Sequence, residues 1–229
     1  MKILYTHTFG GGVAEARLHM QARALQRLGH EVLMFPEWEH YFGGLRIVHG
    51  DKAMDVYNEH LSWADVIHTQ YNTQLGQVES LVLGRHRHHK PIIVDLDDDV
   101  FHVPPYNTAY RTYHAASNGR HVAALSVRIA DAITVSTPKV KELLESDRVS
   151  RPDKWAYRLD APIHILPNYD DPSTWENCTP DPTSIDDTGV RILFAGGLGR
   201  YGDLDVCKEA IEGVMRCHPN VRLFFVGCM

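Results

Sequence analysis

Short apolar runs alternate with longer amphipathic stretches along most of this chain, and this alternation limits its fold more than any other feature. The runs at residues 2–7 (KILYTH) and 91–95 (PIIVD) have the length and β-branched content of buried strands. After the first run, Leu18, Leu25 and Leu28 recur at the spacing of one helix face. A strand–helix–strand order is typical of parallel sheets with crossover helices. The pattern therefore predicts an α/β fold.

The alternation predicts a first domain over residues 1–168, with a Rossmann-like parallel sheet and helices on both of its faces. Residues 36–50 are rich in aromatic residues and glycine and fit neither periodicity. The predicted strands are 2–7, 30–35, 64–68, 91–95, 132–136 and 163–166, and the predicted helices run from the glycines at 10–12 to residue 28 and over 52–62, 73–85, 117–130 and 138–145.

The composition changes after this domain. Pro, Asp, Ser and Thr dominate residues 169–189, which we interpret as a linker. Residues 190–229 then contain strand 190–195, helix 203–217 and strand 221–226, a single βαβ unit. Two parallel strands cannot bury both faces of their sheet. We therefore expect an incomplete second Rossmann-like unit in a fragment of a longer protein; the alternative is that these strands join the edge of the first sheet.

Charge and cysteine usage narrow the partners and the compartment. The net charge of -6 and the pI of about 6.2 argue against nucleic acid as the main partner. The four cysteines are scattered without a CxxC pair, which favours reduced thiols in a cytoplasmic protein. No targeting segment and no membrane-spanning apolar run stand out. Peripheral membrane association stays open.

A glycine-rich segment at residues 9–13 (FGGGV) separates the first predicted strand from the first helix. Glycine lets a ligand approach the backbone closely, and the helix N-terminus presents unpaired N–H groups. A phosphate or a sugar hydroxyl fits there, and a tight turn without a ligand is the alternative. His7 and His68 each lie near the carboxyl end of a predicted strand, where a histidine can point into a cleft or be satisfied within the core.

Four aspartates lie at the carboxyl end of the strand 91–95, in the segment Asp95-Leu96-Asp97-Asp98-Asp99. Ligands in open α/β sheets bind at this edge. Because side chains alternate between the two faces of a strand, the four carboxylates cannot all be buried, and most of them should face water, a cation or a ligand. Asp97 and Asp98 are the candidate catalytic residues, because closely spaced carboxylates can act as acid or base. A magnesium site, a solvated acidic turn and a set of helix caps are the alternatives.

A second glycine-rich turn, residues 196–203 (GGLGRYGD), lies between the strand and the helix of the second unit. This position suits a phosphate cradle, in which Arg200 could pair with a diphosphate bidentately. The alternative is a flexible turn with Asp203 as the helix N-cap.

Five segments of this chain resemble segments of the B-type glycosyltransferases of the large retaining family four, and they occur in the same order as in that family. Two more, VDLDDDVF at 94–101 and GRYGDL at 199–204, resemble glycosyltransferase-like proteins of surface-polysaccharide gene clusters. The family-wide matches are GGV at 11–13, ALQRLGHEV at 24–32, ADVIH at 64–68, ADAITVST at 130–137 and ILPNYD at 165–170.

The resemblance implies roles for individual residues. Gly11 and Gly12 would border the acceptor and the donor phosphates. Asp97 and Asp98 would face the transferred sugar, in a turn where most of the family carries a histidine near the position of Asp97. In the second unit, the family's diphosphate-binding arginine and lysine are not matched. The donor-phosphate candidates are Gly197, which stands at the arginine position, and Arg200, a substitute.

Three more residues complete the substrate-binding candidates: His7, His68 and Asn168, the last in the family's Pro-Asn segment. The implied enzyme is a hexosyl-type glycosyltransferase for polysaccharide or glycan synthesis. It would move a sugar from a nucleoside-diphosphate sugar to a hydroxyl acceptor, without a metal or another cofactor. The alternatives are a non-catalytic module that binds a glycan or a partner chain, a sugar-nucleotide epimerase of similar fold and a magnesium-dependent hydrolase.

Overall fold

The computed structural model describes residues 1–6, 12–35, 38–41, 44–47, 52–150, 161–169, 172, 176, 189–196 and 201–226. It confirms the predicted α/β fold, because six parallel strands form one sheet. The strands of this sheet are β1 (Lys2–Thr6), β2 (Glu31–Phe35), β5 (Val66–Gln70), β6 (Ile92–Leu96), β7 (Ala132–Val135) and β8 (Ile163–Ile165).

Helices cover the sheet on both faces. The first helix has three parts: α1 (Gly12–Ala14), a π-helical segment (Glu15–His19) and α2 (Met20–Arg27). The others in this part of the chain are α3 (Ala53–Trp63), α4 (Leu75–His88), the short α5 (Tyr110–Tyr113), α6 (Asn118–Arg128) and α7 (Pro138–Ser150).

The strand order β2-β1-β5-β6-β7-β8 determines which face each helix covers. The chain runs from β1 to β2 in one direction and then through β5 to β8 in the other. Because such crossovers are right-handed, α1–α2 lies on one face and α3, α4, α6 and α7 on the opposite face. The core agrees, since Ile3 packs with Leu18, whereas Leu4 belongs to the cluster of Leu61 and Leu81.

Local departures from the prediction have local causes. An antiparallel hairpin of β3 (Trp38–Tyr41) and β4 (Gly44–Ile47) lies in the aromatic stretch, where the periodicity was ambiguous. Helix α4 continues beyond the predicted end at residue 85 and stops at His88, because His89 adopts the left-handed conformation at φ 53°.

The second unit consists of β9 (Val190–Ala195), α8 (Tyr201–Cys217) and β10 (Val221–Val226). In the described chain, β9 pairs only with β10, in parallel, and neither strand joins the first sheet. Leu193 is 63% exposed and Phe225 45%, so this sheet leaves large apolar side chains in contact with water. The division into 1–168, 169–189 and 190–229 stays a prediction.

Among the described residues, no helix combines the length and the apolar character that crossing a membrane requires.

Candidate functional site

Polar side chains gather at the carboxyl end of the sheet, on the face that the first helix covers. Asp95 of β6 lies opposite Thr134 of β7 and Gln70 of β5 in the strand register, and His68 precedes Gln70 by two residues. Side chains two residues apart in a strand share a face. Sheet and register therefore bring His68, Asp95 and Thr134 together beneath the N-terminal part of the first helix.

Arg17 of the π-helical segment enters this cluster as a fully buried cation with 0% exposure. Its Nε donates to Asp95 Oδ2 at 2.9 Å, and its Nη2 donates to Asp95 Oδ1 at 2.5 Å. Burial opposes the charge of Arg17, but the hydrogen bonds and the negative charge of Asp95 raise the pKa of the guanidinium overall. The guanidinium therefore stays charged beside Asp95.

The remaining donors of Arg17 hold the segment that follows β8. Its Nη1 donates to the carbonyl oxygen of Leu166 at 2.5 Å and to Asn168 Oδ1 at 2.9 Å. The Asn168 Nδ2 in turn donates to Asp97 Oδ1 at 3.1 Å. Ser136 Oγ donates to the backbone carbonyl of Asp97. Two of the predicted site residues, Asp97 and Asn168, are thus in direct contact.

His68 is buried at 4% exposure, and its ring packs edge-on to Tyr5 with centroids 4.7 Å apart. Its Nε2 lies 3.3 Å from Thr134 Oγ1, which itself donates to Asp95 Oδ1 at 2.5 Å. Because the hydroxyl proton of Thr134 is used for Asp95, the imidazole Nε2 must be the donor. Burial lowers the pKa of His68 to about 4, with Asp95 opposing and Arg17 reinforcing this shift, so the ring is neutral.

A cavity of about 180 Å³ opens in front of this cluster. Asp97 and Asp98 form part of its wall, together with Val13 at the start of the first helix. Arg17 lies behind this wall. The other lining residues are Gln70, Tyr71, Asp95 and Tyr113.

A larger cavity of about 520 Å³ shares Tyr71, Asp98 and Tyr113 with the first. The hydroxyl groups of Tyr71 and Tyr113 are hydrogen-bonded at 3.0 Å, and burial raises the pKa of both phenols, so they stay protonated. Asn107 and Asp203 also line this cavity, and Asp203 brings the second unit to its wall. Asp98 is therefore the carboxylate common to both cavities.

Asp99 also lines the larger cavity, but its carboxylate is engaged in local hydrogen bonds. Its carboxylate accepts a hydrogen bond from the backbone N–H of Phe101 at 3.1 Å and pairs with His102 Nδ1 at 2.7 Å. Residues 100–102 form a turn and no helix begins there, so this aspartate stabilises a turn and does not cap a helix. Among the described residues, no group of three or more His, Cys, Asp or Glu side chains is arranged to hold a metal ion.

The other predicted site residues are distributed as follows. Gly12 begins the first helix. His68 is in the core, behind Thr134, and does not line the two cavities. His7, Gly11, Gly197 and Arg200 lie outside the described residues.

Arg17 and Asp95 are the residues whose partnership the sequence reasoning missed. A signal was present, since Arg17 stands beside Leu18 on the apolar side of the first helix, and Asp95 ends a strand with buried neighbours. A charged side chain on a buried face needs a partner of opposite charge. The two positions could have been paired on that ground.

Comparisons with known proteins support the fold. No protein-family model matches the sequence, and none of the curated proteins matches it. Among solved structures, HepE from Anabaena in complex with UDP-glucose aligns over 99% of this chain and 69% of its own, with a TM-score of 0.52 and 12% identity. At this identity the likeness shows a shared α/β fold and no more.

Two further structures align less well. One, from Listeria monocytogenes, is described as a UDP-N-acetylglucosamine 2-epimerase (TM-score 0.48, 12% identity, 98% of this chain). The other is S. aureus MnaA with UDP (TM-score 0.46, 11% identity, 98% of this chain). The chain spans 61% of the length of each. Their TM-scores are too low to carry an argument, and membership of the retaining family four stays a prediction.

Proposed function

We propose that this chain is a glycosyltransferase, or part of one, that transfers a sugar from a nucleoside-diphosphate sugar to a hydroxyl acceptor in glycan or polysaccharide synthesis. The observation that carries the proposal is the position of Asp97 and Asp98, side by side on the wall of a cavity at the carboxyl edge of the parallel sheet. Ligands of open α/β sheets bind at this edge.

The chemistry of the two carboxylates suits a sugar. Carboxylate oxygens accept hydrogen bonds from sugar hydroxyls, and their negative charge stabilises the positive charge that develops on a sugar ring as its glycosidic bond breaks. Asp98 lines both cavities, so its carboxylate can contact a donor sugar in the smaller one and an acceptor hydroxyl in the larger one. The hydroxyls of Tyr71 and Tyr113 lie at the same junction, where one of their two protons is used in the hydrogen bond between them and at most one can be donated to a ligand.

The fold is compatible with this chemistry, since HepE, with which the chain shares its α/β fold, was crystallised with UDP-glucose. In our proposal, the backbone at Gly11 and Gly12 and the turn containing Gly197 and Arg200 hold the diphosphate. The positive end of a helix dipole and the cation Arg200 would stabilise the leaving group without a metal.

A second candidate is a non-catalytic module that binds a glycan. It is favoured by the composition of the two cavities, whose described lining residues include carboxylates and tyrosines but no lysine or arginine. Such a lining suits sugar hydroxyls better than phosphate oxygens.

Turnover by the Asp98→Asn variant separates these candidates. The full chain is incubated with UDP- and GDP-sugars and oligosaccharide acceptors, and release of free nucleotide together with the glycan product is measured. We expect a loss of about 100-fold or more in kcat, because the variant lacks a preorganised negative charge that would stabilise the transition state. The matched control is Asp55→Asn, which removes an exposed carboxylate from α3 and should keep wild-type turnover.

Wild-type turnover by Asp98→Asn would contradict the catalytic role. Glycan binding by the wild-type chain without any release of nucleotide would support the binding module instead.

A further inference from the structure

Arg17 is the largest fully buried side chain among the described residues, and its guanidinium cannot touch a ligand in either cavity. A buried ion pair is weak evidence for stability, because apolar replacements of similar volume are often as stable. The stability of the fold therefore does not by itself explain why Arg17 makes these hydrogen bonds.

The hydrogen bonds of Arg17 connect the first helix to two other segments of the chain. Its Nε and Nη2 donate to Asp95 near the end of β6, and its Nη1 donates to both Leu166 and Asn168 after β8. A guanidinium is planar and presents its donors in a fixed fork, so the position of Asp95 determines where Asn168 can lie.

The amide of Asn168 transmits this constraint to Asp97. Its oxygen accepts from Arg17 Nη1 at 2.9 Å, so its nitrogen must point the other way, where it donates to Asp97 Oδ1 at 3.1 Å. The amide dipole is thus aligned between a cation and a carboxylate. Arg17 Nε itself is 3.9 Å from Asp97 Oδ1, which adds direct attraction.

The backbone and the side chain of Asp97 are held by different partners. Ser136 fixes the backbone carbonyl, whereas Asn168 and Arg17 fix the direction of the carboxylate. The carboxylate direction consequently depends on a residue that never contacts the cavity.

We propose that Arg17 is a positioning residue, which aims the Asp97 carboxylate into the cavity through the amide of Asn168. The kinetic part of this inference rests on the proposed glycosyl transfer, whereas the structural part does not. Lysine cannot replace arginine here, since a single ammonium group on a flexible stem cannot grip Asp95 and hold Leu166 and Asn168 at the same time.

The test compares Arg17→Lys with the wild type in two measurements. The first is the ¹⁵N order parameter of the Asn168 side-chain amide, which we expect to fall from the rigid range, about 0.8, to below about 0.6. The second is steady-state kinetics, in which we expect kcat to fall about 100-fold with an unchanged KM for the nucleotide sugar, because misplacement affects the transition state more than ground-state binding.

The matched control is Arg23→Lys on the same helix, where Arg23 pairs with Glu15 at the surface. It should change neither measurement. An unchanged Asn168 order parameter in Arg17→Lys would overturn the proposal. If the order parameter falls but no nucleotide sugar is turned over by the wild type, the positioning stands and the glycosyltransferase proposal fails.

Asn168→Ala keeps the proposal testable if Arg17→Lys does not fold. This variant leaves the buried Arg17–Asp95 pair intact and removes the Asn168 amide, with its hydrogen bonds to Arg17 Nη1 and to Asp97 Oδ1. We expect a crystal structure of this variant to show the Asp97 carboxylate turned away from its wild-type position, together with a reduced kcat. A carboxylate that stays in place would overturn the role of the link.

Discussion

Two buried basic side chains lie within one hydrogen-bonded cluster, and their surroundings give them opposite charge states. Arg17 stays charged because Asp95 accepts two of its hydrogen bonds. Within the part of the chain that the structure describes, the Thr134 hydroxyl is the only hydrogen-bond partner of His68, and the His68 Nδ1 makes no hydrogen bond. Burial without a carboxylate in contact keeps the imidazole neutral. Stability should therefore depend on pH through the histidine.

The free energy of unfolding should fall as the pH drops from about 6.5 to about 4. The pKa of folded His68 is about 4 against 6.5 for an unperturbed imidazole, so in this window the unfolded chain binds a proton that the folded chain does not. The shift corresponds to a loss of roughly 3 kcal/mol from this residue.

Urea unfolding at pH 7 and pH 4.5 measures this effect. The decrease in unfolding free energy between the two pH values should be smaller in His68→Gln than in the wild type. His86→Gln, which replaces an exposed histidine on α4, should keep the wild-type decrease. If the unfolding free energy of His68→Gln decreased by the same amount as that of the wild type, His68 would not be the histidine that is neutral when folded and protonated on unfolding.

At the scale of elements, the contact between α5 and α6 places Tyr113 at the junction of the two cavities. Ser117 caps α6 by accepting from the backbone N–H of Arg120 at 3.2 Å, and its hydroxyl donates to the Thr112 carbonyl at 2.5 Å. A Cβ at Gly119 would lie 2.6 Å from that same carbonyl oxygen. The close approach of the two helices therefore requires glycine at this position.

Gly119→Ala should lower the free energy of unfolding by about 1–3 kcal/mol, because the added methyl group meets backbone that cannot move aside cheaply. Gly76→Ala is a matched control, since Gly76 is also the second residue of its helix and has open space around its Cβ position. The control should be neutral or gain up to about 1 kcal/mol from helix propensity. Equal urea midpoints for the two variants would contradict the close packing of α5 on α6.

The sequence could predict some elements and not others, for physical reasons. Strands such as β6 were found because buried parallel strands are nearly continuous apolar runs. The π-helical segment Glu15–His19 could not be found, because α- and π-helical turns use the same residue types. This segment carries Arg17, whose partnership with Asp95 could be inferred only from the opposite charge that a buried cation requires, and not from the helical period.

At the scale of the whole molecule, the parallel sheet explains why the site could be predicted in part. Asp97 and Asp98 follow a predicted strand, and the carboxyl ends of parallel strands meet at one edge. Asn168 follows another strand of the same sheet, which is why it reaches Asp97. The interior location of His68 depends on which face of β5 the first helix covers, and a strand pattern alone does not determine this.

Binding of the sugar of a nucleotide sugar at this edge of the sheet can be measured by calorimetric titration of the 229-residue chain. UDP, GDP and their sugar conjugates are titrated into the wild type, Asp98→Asn and the control Asp55→Asn. We expect one conjugate to bind saturably and more tightly than its free nucleotide, and Asp98→Asn to weaken only the conjugate, by about tenfold or more. Equal affinity for conjugate and free nucleotide, or no saturable binding of any conjugate, would contradict the account.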